Sequence, residues 1–304
     1  MLLTGRRQNK SVDTYRRVPS NALDRAETVL PACAAGLGER VRSAEDITSL
    51  PNSEKATLLV QFESGLRIKV CISASDNDCF ERSSRLTEAV GSGNFPKVLM
   101  RGDGWAAFEW IEGETISQRG LSQDVIYRAA CLLTAVHNAT VEPDACAPEK
   151  LLKEVRIKLE EKLPVLVETE IISDAQSRRI TDLCDSLSAD SLSVSLVHGD
   201  FSPSNLVMRG RELYSVDNEK MRFHVTDYDV CRAVTFWEEW NSSGGRLLDA
   251  YSEQSSRRFA RQNLYFWGAF DLVYRISYRI SSFGEFNEFC VMRLRQLLRT
   301  GTFR

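Results

Sequence analysis

The sequence predicts an α+β chain, β-rich in its first third and mostly helical in a larger remainder, and three observations carry that reading. A segment near residue 66 alternates apolar and polar side chains with the period of a strand, and from residue 125 onward apolar positions recur with the period of a helix. One short β-like stretch, 193–219, interrupts the helical part. The chain has 304 residues, 43% hydrophobic and 27% charged, enough for one or two cored domains and too apolar for a disordered polymer.

Taken in order, residues 1–20 set Arg6, Arg7, Lys10, Arg16 and Arg17 against the single acid Asp13, with little periodicity. Residues 1–40 are therefore expected to form an N-terminal extension, partly mobile. ATLLVQF (56–62) reads as a strand, Glu63-Ser64-Gly65 as a turn, and LRIKVCI (66–72) as a second strand. Its alternation puts Leu66, Ile68, Val70 and Ile72 on one face and Arg67, Lys69 and Cys71 on the other. DCFERSSRLTEAV (78–90) has helical spacing, and FPKVLM and AAFEWI are strands about the turn Arg101-Gly102-Asp103-Gly104. The break at Glu112-Gly113-Glu114 closes a unit over 41–112. Beyond it, 125–137, 149–163 and 174–187 are amphipathic helices, and Phe266, Phe270, Val273, Ser277 and Ile280 keep helical spacing in a second unit over 113–304.

Composition narrows the function. With Asp+Glu 42 against Lys+Arg 39 the net charge is −3, which gives no general attraction to nucleic acid or anionic membrane, so a small or locally acidic partner is expected. Cys33, Cys71, Cys79, Cys131, Cys146, Cys184, Cys231 and Cys290 form no CxxC pair, as expected of reduced thiols in a cytoplasmic protein. The opening MLLTGRRQNK lacks the apolar run of a signal peptide, and no later segment approaches the length of a membrane span.

The chemistry concentrates in 193–219. Leu206–Met208 and Leu213–Val216, joined by Arg209-Gly210-Arg211-Glu212, read as a β-hairpin. Hairpin strands are antiparallel, so Asn205 and Asp217 lie at the same end, where an amide oxygen and a carboxylate can share a hard cation such as Mg²⁺. Asp200, five residues before Asn205, ends a strand-to-loop turn and can face the same spot, placed to orient a hydroxyl and accept its proton.

The string His198-Gly199-Asp200 followed by Asn205 and Asp217 resembles the aminoglycoside phosphotransferase and choline kinase superfamily, whose fold is that of protein kinases. Gly199 stands where protein kinases carry the arginine of HRD, and Asp217-Asn218-Glu219 stands at the second metal position. The resemblance implies a two-lobed protein-kinase-like fold, with a small β-rich nucleotide-binding N-lobe over 41–112 and a larger, mostly helical catalytic and substrate-binding C-lobe over 113–304. It implies ATP and Mg²⁺ as cofactors and a hydroxyl of an aminoglycoside, choline-like, amino-alcohol or sugar molecule as acceptor. Asp200 would be catalytic, and Asn205 and Asp217 would hold the metal. Lys69 would contact nucleotide phosphates with Glu81 orienting it, Glu88 being the competitor for that role. Main-chain groups of Glu109 and Ile111, in Phe108–Gly113, would meet adenine. The phosphate loop would be Thr48–Ser53; it has no glycine, so Ser49, Asn52 and Ser53 would supply its side-chain donors. Leu132–His137 resembles a helix ending in Leu-His, and Asp229 the aspartate that follows the metal site. His198 itself is expected to hold the loop from a buried position.

Two other functions stand beside this one. The glycine-free segment motivates a non-catalytic nucleotide-binding or regulatory module on a kinase scaffold. His224, Asp227, Asp229 and Cys231 motivate a metal-dependent hydrolase, although a strand or loop would scatter those side chains. Trp237, Glu238, Glu239 and Trp240 form either a cation-binding patch or part of an amphipathic helix.

Overall fold

In the computed structural model, which describes residues 24–48, 55–73, 79–91, 93–140, 147–255 and 259–303, the first element is helix α1 (Ala26–Leu37). Strands β1 (Val41–Asp46), β2 (Lys55–Phe62) and β3 (Arg67–Ser73), helix α2 (Cys79–Val90), and strands β4 (Val98–Gly102) and β5 (Trp105–Glu109) follow. The strands form one antiparallel sheet in the order β1-β2-β3-β5-β4.

Period-2 alternation builds its core. β2 buries Ala56, Leu58, Val60 and Phe62, and β3 buries Ile68, Val70 and Ile72 on the same side. Onto that face α1 lays Ala26, Val29, Leu30 and Cys33, spaced i, i+3, i+4, i+7. Each fully buried Val, Leu, Ile or Phe contributes about 1.5–3 kcal/mol. Helix α1 thus falls inside the residues expected to be an extension; its Pro31 and its modest apolar stripe hid a helix that only the sheet face completes. The opposite face of the sheet carries a smaller cluster of Cys71, Phe80 and Ala106. Leu66, expected on the apolar face of β3, precedes the strand and is 40% exposed, because the Phe62 N–H donates to its carbonyl and closes the turn there.

The chain divides into two compact units, Met1–Arg85 with Phe95–Glu112 and Leu86–Asn94 with Gly113–Arg304. The second opens with β6 (Glu114–Thr115), α3 (Ile116–Arg119), α4 (Gln123–His137), α5 (Pro148–Glu168) and α6 (Asp174–Asp185). Then come β7 (Val194–Val197), β8 (Leu206–Arg209), β9 (Glu212–Ser215) and β10 (Arg222–Val225). Helices α7 (Thr226–Asn241), α8 (Gly244–Ser255), α9 (Arg261–Phe283) and α10 (Glu288–Thr300) complete it. The short strands pair as β6-β8-β9 and β7-β10 within a helical body in which α7 packs against α8 and α9. Gly113 is required where the strand pairing begins, since a Cβ there would lie 2.2 Å from the Met208 carbonyl oxygen. Among the described residues no helix is long and apolar enough to cross a membrane.

Candidate active site

β7 delivers the chain to His198, Gly199 and Asp200. Gly199 sits at φ 77, and a Cβ on it would meet the Lys220 carbonyl oxygen at 2.8 Å. A residue with a side chain, such as the arginine of an HRD loop, is therefore disfavoured twice here, by backbone conformation and by the adjoining turn at 218–220. The Asp200 carboxylate, 20% exposed, bonds Lys220 Nζ at 2.6 Å and has Arg232 Nη2 at 3.8 Å. Burial works to raise its pKa, but Lys220 and then Arg232 outweigh it and hold the carboxyl below its ordinary value.

His198 is fully buried. Its Nδ1 accepts the Asp200 N–H at 3.2 Å, so Nε2 carries the proton and donates to Ser215 Oγ at 2.5 Å and Asn218 Oδ1 at 3.0 Å. Burial lowers its pKa, which keeps the ring neutral and ties β7, the end of β9 and the 218–220 turn together.

The hairpin forms with register Leu206↔Ser215 through Arg209↔Glu212. The first strand runs one residue further than expected and the second starts and ends one residue earlier, at Glu212 and Ser215, leaving a two-residue turn led by Gly210 at φ 64. The Val216 N–H donates to the Asn205 carbonyl at 2.8 Å, continuing the antiparallel pairing and bringing Asn205 and Asp217 to one end. Asn205 Nδ2 donates to the Asp200 carbonyl at 3.0 Å, which fixes the loop between the two residues. Asp217, exposed, adopts φ 59, ψ 47, a left-handed conformation that Asp tolerates better than most residues.

Helix α7 holds this loop from behind. Asp229 Oδ2 accepts from His198 N–H at 2.9 Å and His137 Nε2 at 3.0 Å, and Oδ1 accepts from Gly199 N–H at 2.8 Å. Burial opposes its charge, but the His137 hydrogen bond leads the interactions that bring its pKa down to about 2. His137, the last residue of α4, is itself held by Tyr251 at 2.7 Å. One turn along the same face, Arg232 Nε donates to the Gly199 carbonyl at 2.7 Å, and Trp237 Nε1 reaches the Phe201 carbonyl at 3.2 Å. Lys220 and Arg232 are thus residues around Asp200 that motif spacing missed. The i, i+3 relation of Arg232 to Asp229 was the one signal available.

The Trp237–Trp240 segment resolves as helix. Trp237 is fully buried, Glu238 accepts from Gly244 N–H at 3.0 Å, and Glu239 bonds Arg275 and Asn287. The hydrolase residues diverge: Asp227 bonds Asn263 and Cys231 Sγ points to the Leu264 carbonyl, while Asp229 serves the loop. Among the described residues no three His, Cys, Asp or Glu side chains converge as a metal-binding group.

The remaining expected residues belong to the first unit. Lys69 is half-buried on the face of β3 opposite Ile68 and Val70. Glu109 ends β5 with its N–H donated to the Lys97 carbonyl at 2.8 Å, so that N–H is taken within the unit; Ile111 is buried. Glu81 lies in α2, and its side chain lies outside the described residues, as do Ser49, Asn52 and Ser53.

A protein-family model described as the phosphotransferase enzyme family matches residues 85–267, more than half of the chain. No curated protein sequence matches it. Among solved structures, choline kinase LicA from Streptococcus pneumoniae superposes with a TM-score of 0.65 at 15% identity, covering 90% of this chain and 97% of that one. Choline kinase from Cryptosporidium parvum Iowa II gives 0.64 at 14%, covering 90% and 94%. A thermostable mutant of aminoglycoside phosphotransferase APH(4)-Ia, solved with ADP and hygromycin B, gives 0.66 at 13%, covering 90% and 99%. At such identities the likeness shows the fold, an α+β kinase-like one.

Proposed function

The chain belongs to the phosphotransferase enzyme family, and from that premise we propose that it transfers the γ-phosphoryl group of ATP to a hydroxyl of a small molecule, with Asp200 as the catalytic carboxylate. The observation that carries this reading is the tie between Asp200, Asn205 and the start of the 216–217 segment through two hydrogen bonds, Asn205 Nδ2 to Asp200 O and Val216 N to Asn205 O. These ties to main-chain carbonyls support a reading in which one carboxylate would work beside a separate amide–carboxylate pair, the division of labour that phosphoryl transfer needs.

Asp200 would accept the acceptor hydroxyl's proton as the oxygen attacks phosphorus. Its depressed pKa keeps it ionised at neutral pH, and the hydrogen bond from Lys220 orients it. Asn205 and Asp217 fit a hard cation: Asn205 donates its Nδ2–H to the Asp200 carbonyl, which leaves Oδ1 to serve as a cation ligand, and Asp217 adds a carboxylate at the same hairpin end. Mg²⁺ bound by these oxygens would neutralise charge on the phosphates. Lys69, with Glu81, would steady the nucleotide phosphates, and Ser49 and Ser53 would donate to them. The Glu109 carbonyl and the Ile111 main chain would meet adenine. An ADP-bound relative of the same fold supports a nucleotide as donor. The choline and aminoglycoside kinases among the relatives support an amino-alcohol or aminoglycoside acceptor.

The test is ADP release from Mg²⁺-ATP over choline, ethanolamine, hygromycin B and simple sugars. Asp200→Ala should lower turnover by about 10²–10⁴-fold while a thermal shift with Mg²⁺-ATP persists. Full turnover in that variant would remove Asp200 from the role.

A further inference from the structure

Arg232 uses all three corners of its guanidinium. Nε donates to the Gly199 carbonyl at 2.7 Å, Nη1 bonds Asp271 Oδ1 at 2.7 Å, and Nη2 faces Asp200 Oδ1 across 3.8 Å. The planar fork makes these choices interdependent, because turning one corner turns the others. The ring of Phe236 backs this group, with the Arg232 and Arg275 guanidinium carbons 5.0 and 4.4 Å from its centroid.

Asp271, on α9, is fully buried, and its Oδ2 has no hydrogen-bond partner among the described residues. An unpaired buried oxygen costs about 1–3 kcal/mol, so Asp271 is kept at a cost to packing. Its charge faces two buried guanidiniums, Arg275 and Arg232, and the hydrogen bond that its Oδ1 accepts comes from Arg232. Without it, the carboxylate next nearest to that guanidinium is Asp200. A direct Arg232–Asp200 ion pair would occupy the oxygen meant for the acceptor hydroxyl and pull Nε off Gly199, whose positive-φ backbone is the pliable link next to Asp200.

We propose that Asp271 is a positioning residue for phosphoryl transfer: it anchors Arg232 so that the guanidinium pins the Gly199 carbonyl and stands off from the Asp200 carboxylate. This rests on the phosphotransfer reading of Asp200.

The test is a double-mutant cycle of Asp271→Ala and Arg232→Met, read as ADP release from Mg²⁺-ATP with water as acceptor, together with a crystal structure of Asp271→Ala. Asp271→Ala lowers kcat by about 10- to 100-fold with the nucleotide KM unchanged. In the Arg232→Met background the same change costs no further kcat, since of the two guanidiniums facing Asp271 it is Arg232 that touches Gly199 and faces Asp200. Asp271→Asn keeps an acceptor at Oδ1, loses less, and carries the test if the alanine variant does not fold. In the crystal, Arg232 is found on the Asp200 carboxylate. An equal kcat loss in both backgrounds, or an unmoved Arg232, overturns the proposal. If the unaltered chain releases no ADP with water or with any of the acceptors named above, the phosphotransfer reading falls, and the position of Arg232 decides the anchoring by itself.

Discussion

Replacing Asp229 by Asn removes one charge and almost no volume, so the consequence follows from hydrogen bonds alone. The carboxylate accepts three of them, from His198 N–H, Gly199 N–H and His137 Nε2–H, and its side chain is 1% exposed. An asparagine offers one oxygen. Whichever way its amide turns, an NH₂ group meets a donor: Gly199 N–H in one orientation, His198 N–H and His137 in the other. One buried donor left unpaired costs about 1–3 kcal/mol, and converting the surviving charge-assisted bonds to neutral ones costs about 1 kcal/mol more. The expected loss is about 2–4 kcal/mol. At about 2–4 °C per kcal/mol for a unit of this size, the melting temperature falls by about 4–16 °C. Thermal unfolding at pH 7 followed by circular dichroism measures it.

The same substitution carries a pH signature. The folded carboxyl titrates near 2 and the unfolded one near 3.9, so the wild type's advantage is complete above about pH 4 and is lost as pH falls through about 2. A variant melting within about 2 °C of the wild type at pH 7 would show that Asp229 is not the hub of the loop.

Three further outcomes follow from the same geometry. Gly199→Ala must place a methyl 2.8 Å from the Lys220 carbonyl oxygen at φ 77, so a urea titration should show about 1–3 kcal/mol of lost stability, and an unchanged midpoint contradicts the contact. His224 is buried, and burial, helped by Arg222 and Lys158, takes its imidazole down to about 3. Unfolding therefore takes up a proton below about pH 6.5, and wild-type stability declines from there toward pH 3. His224→Phe should flatten that decline, and parallel stability curves for the two proteins rule the assignment out. Lys220→Met removes the strongest interaction lowering the Asp200 pKa, so the acid limb of kcat/KM moves to higher pH; a limb that stays put means Asp200 is not the titrating base.

Much of the fold was legible because it rests on short-range periodicity. The alternation of Ile68, Val70 and Ile72 and the helical spacing of α4 are local and reappear at nearly the expected boundaries, and the spaced residues from Phe266 to Ile280 all fall within α9. Helix α1 was not legible, because its apolar positions gain meaning only against the sheet face they cover. The candidate site divides in the same way. The hairpin logic that pairs Asn205 with Asp217 needs only a turn signal and antiparallel strands, whereas the charges around Asp200 come from Lys220, twenty residues on, and Arg232, thirty-two on.

By itself the sequence determined the α+β order, the His198-Gly199-Asp200 turn and the hairpin carrying Asn205 and Asp217, because those depend on residues within a few positions of one another. Only the tertiary structure decided which groups His198 latches, Ser215 Oγ and Asn218 Oδ1, that Asp229 bridges α4 and the loop, and that Asp271 holds Arg232. The physical reason is burial. A charge or imidazole acquires its state from what desolvates it and what pairs with it, and behind the Asp200 loop one such pair, His137 and Tyr251, lies 114 residues apart.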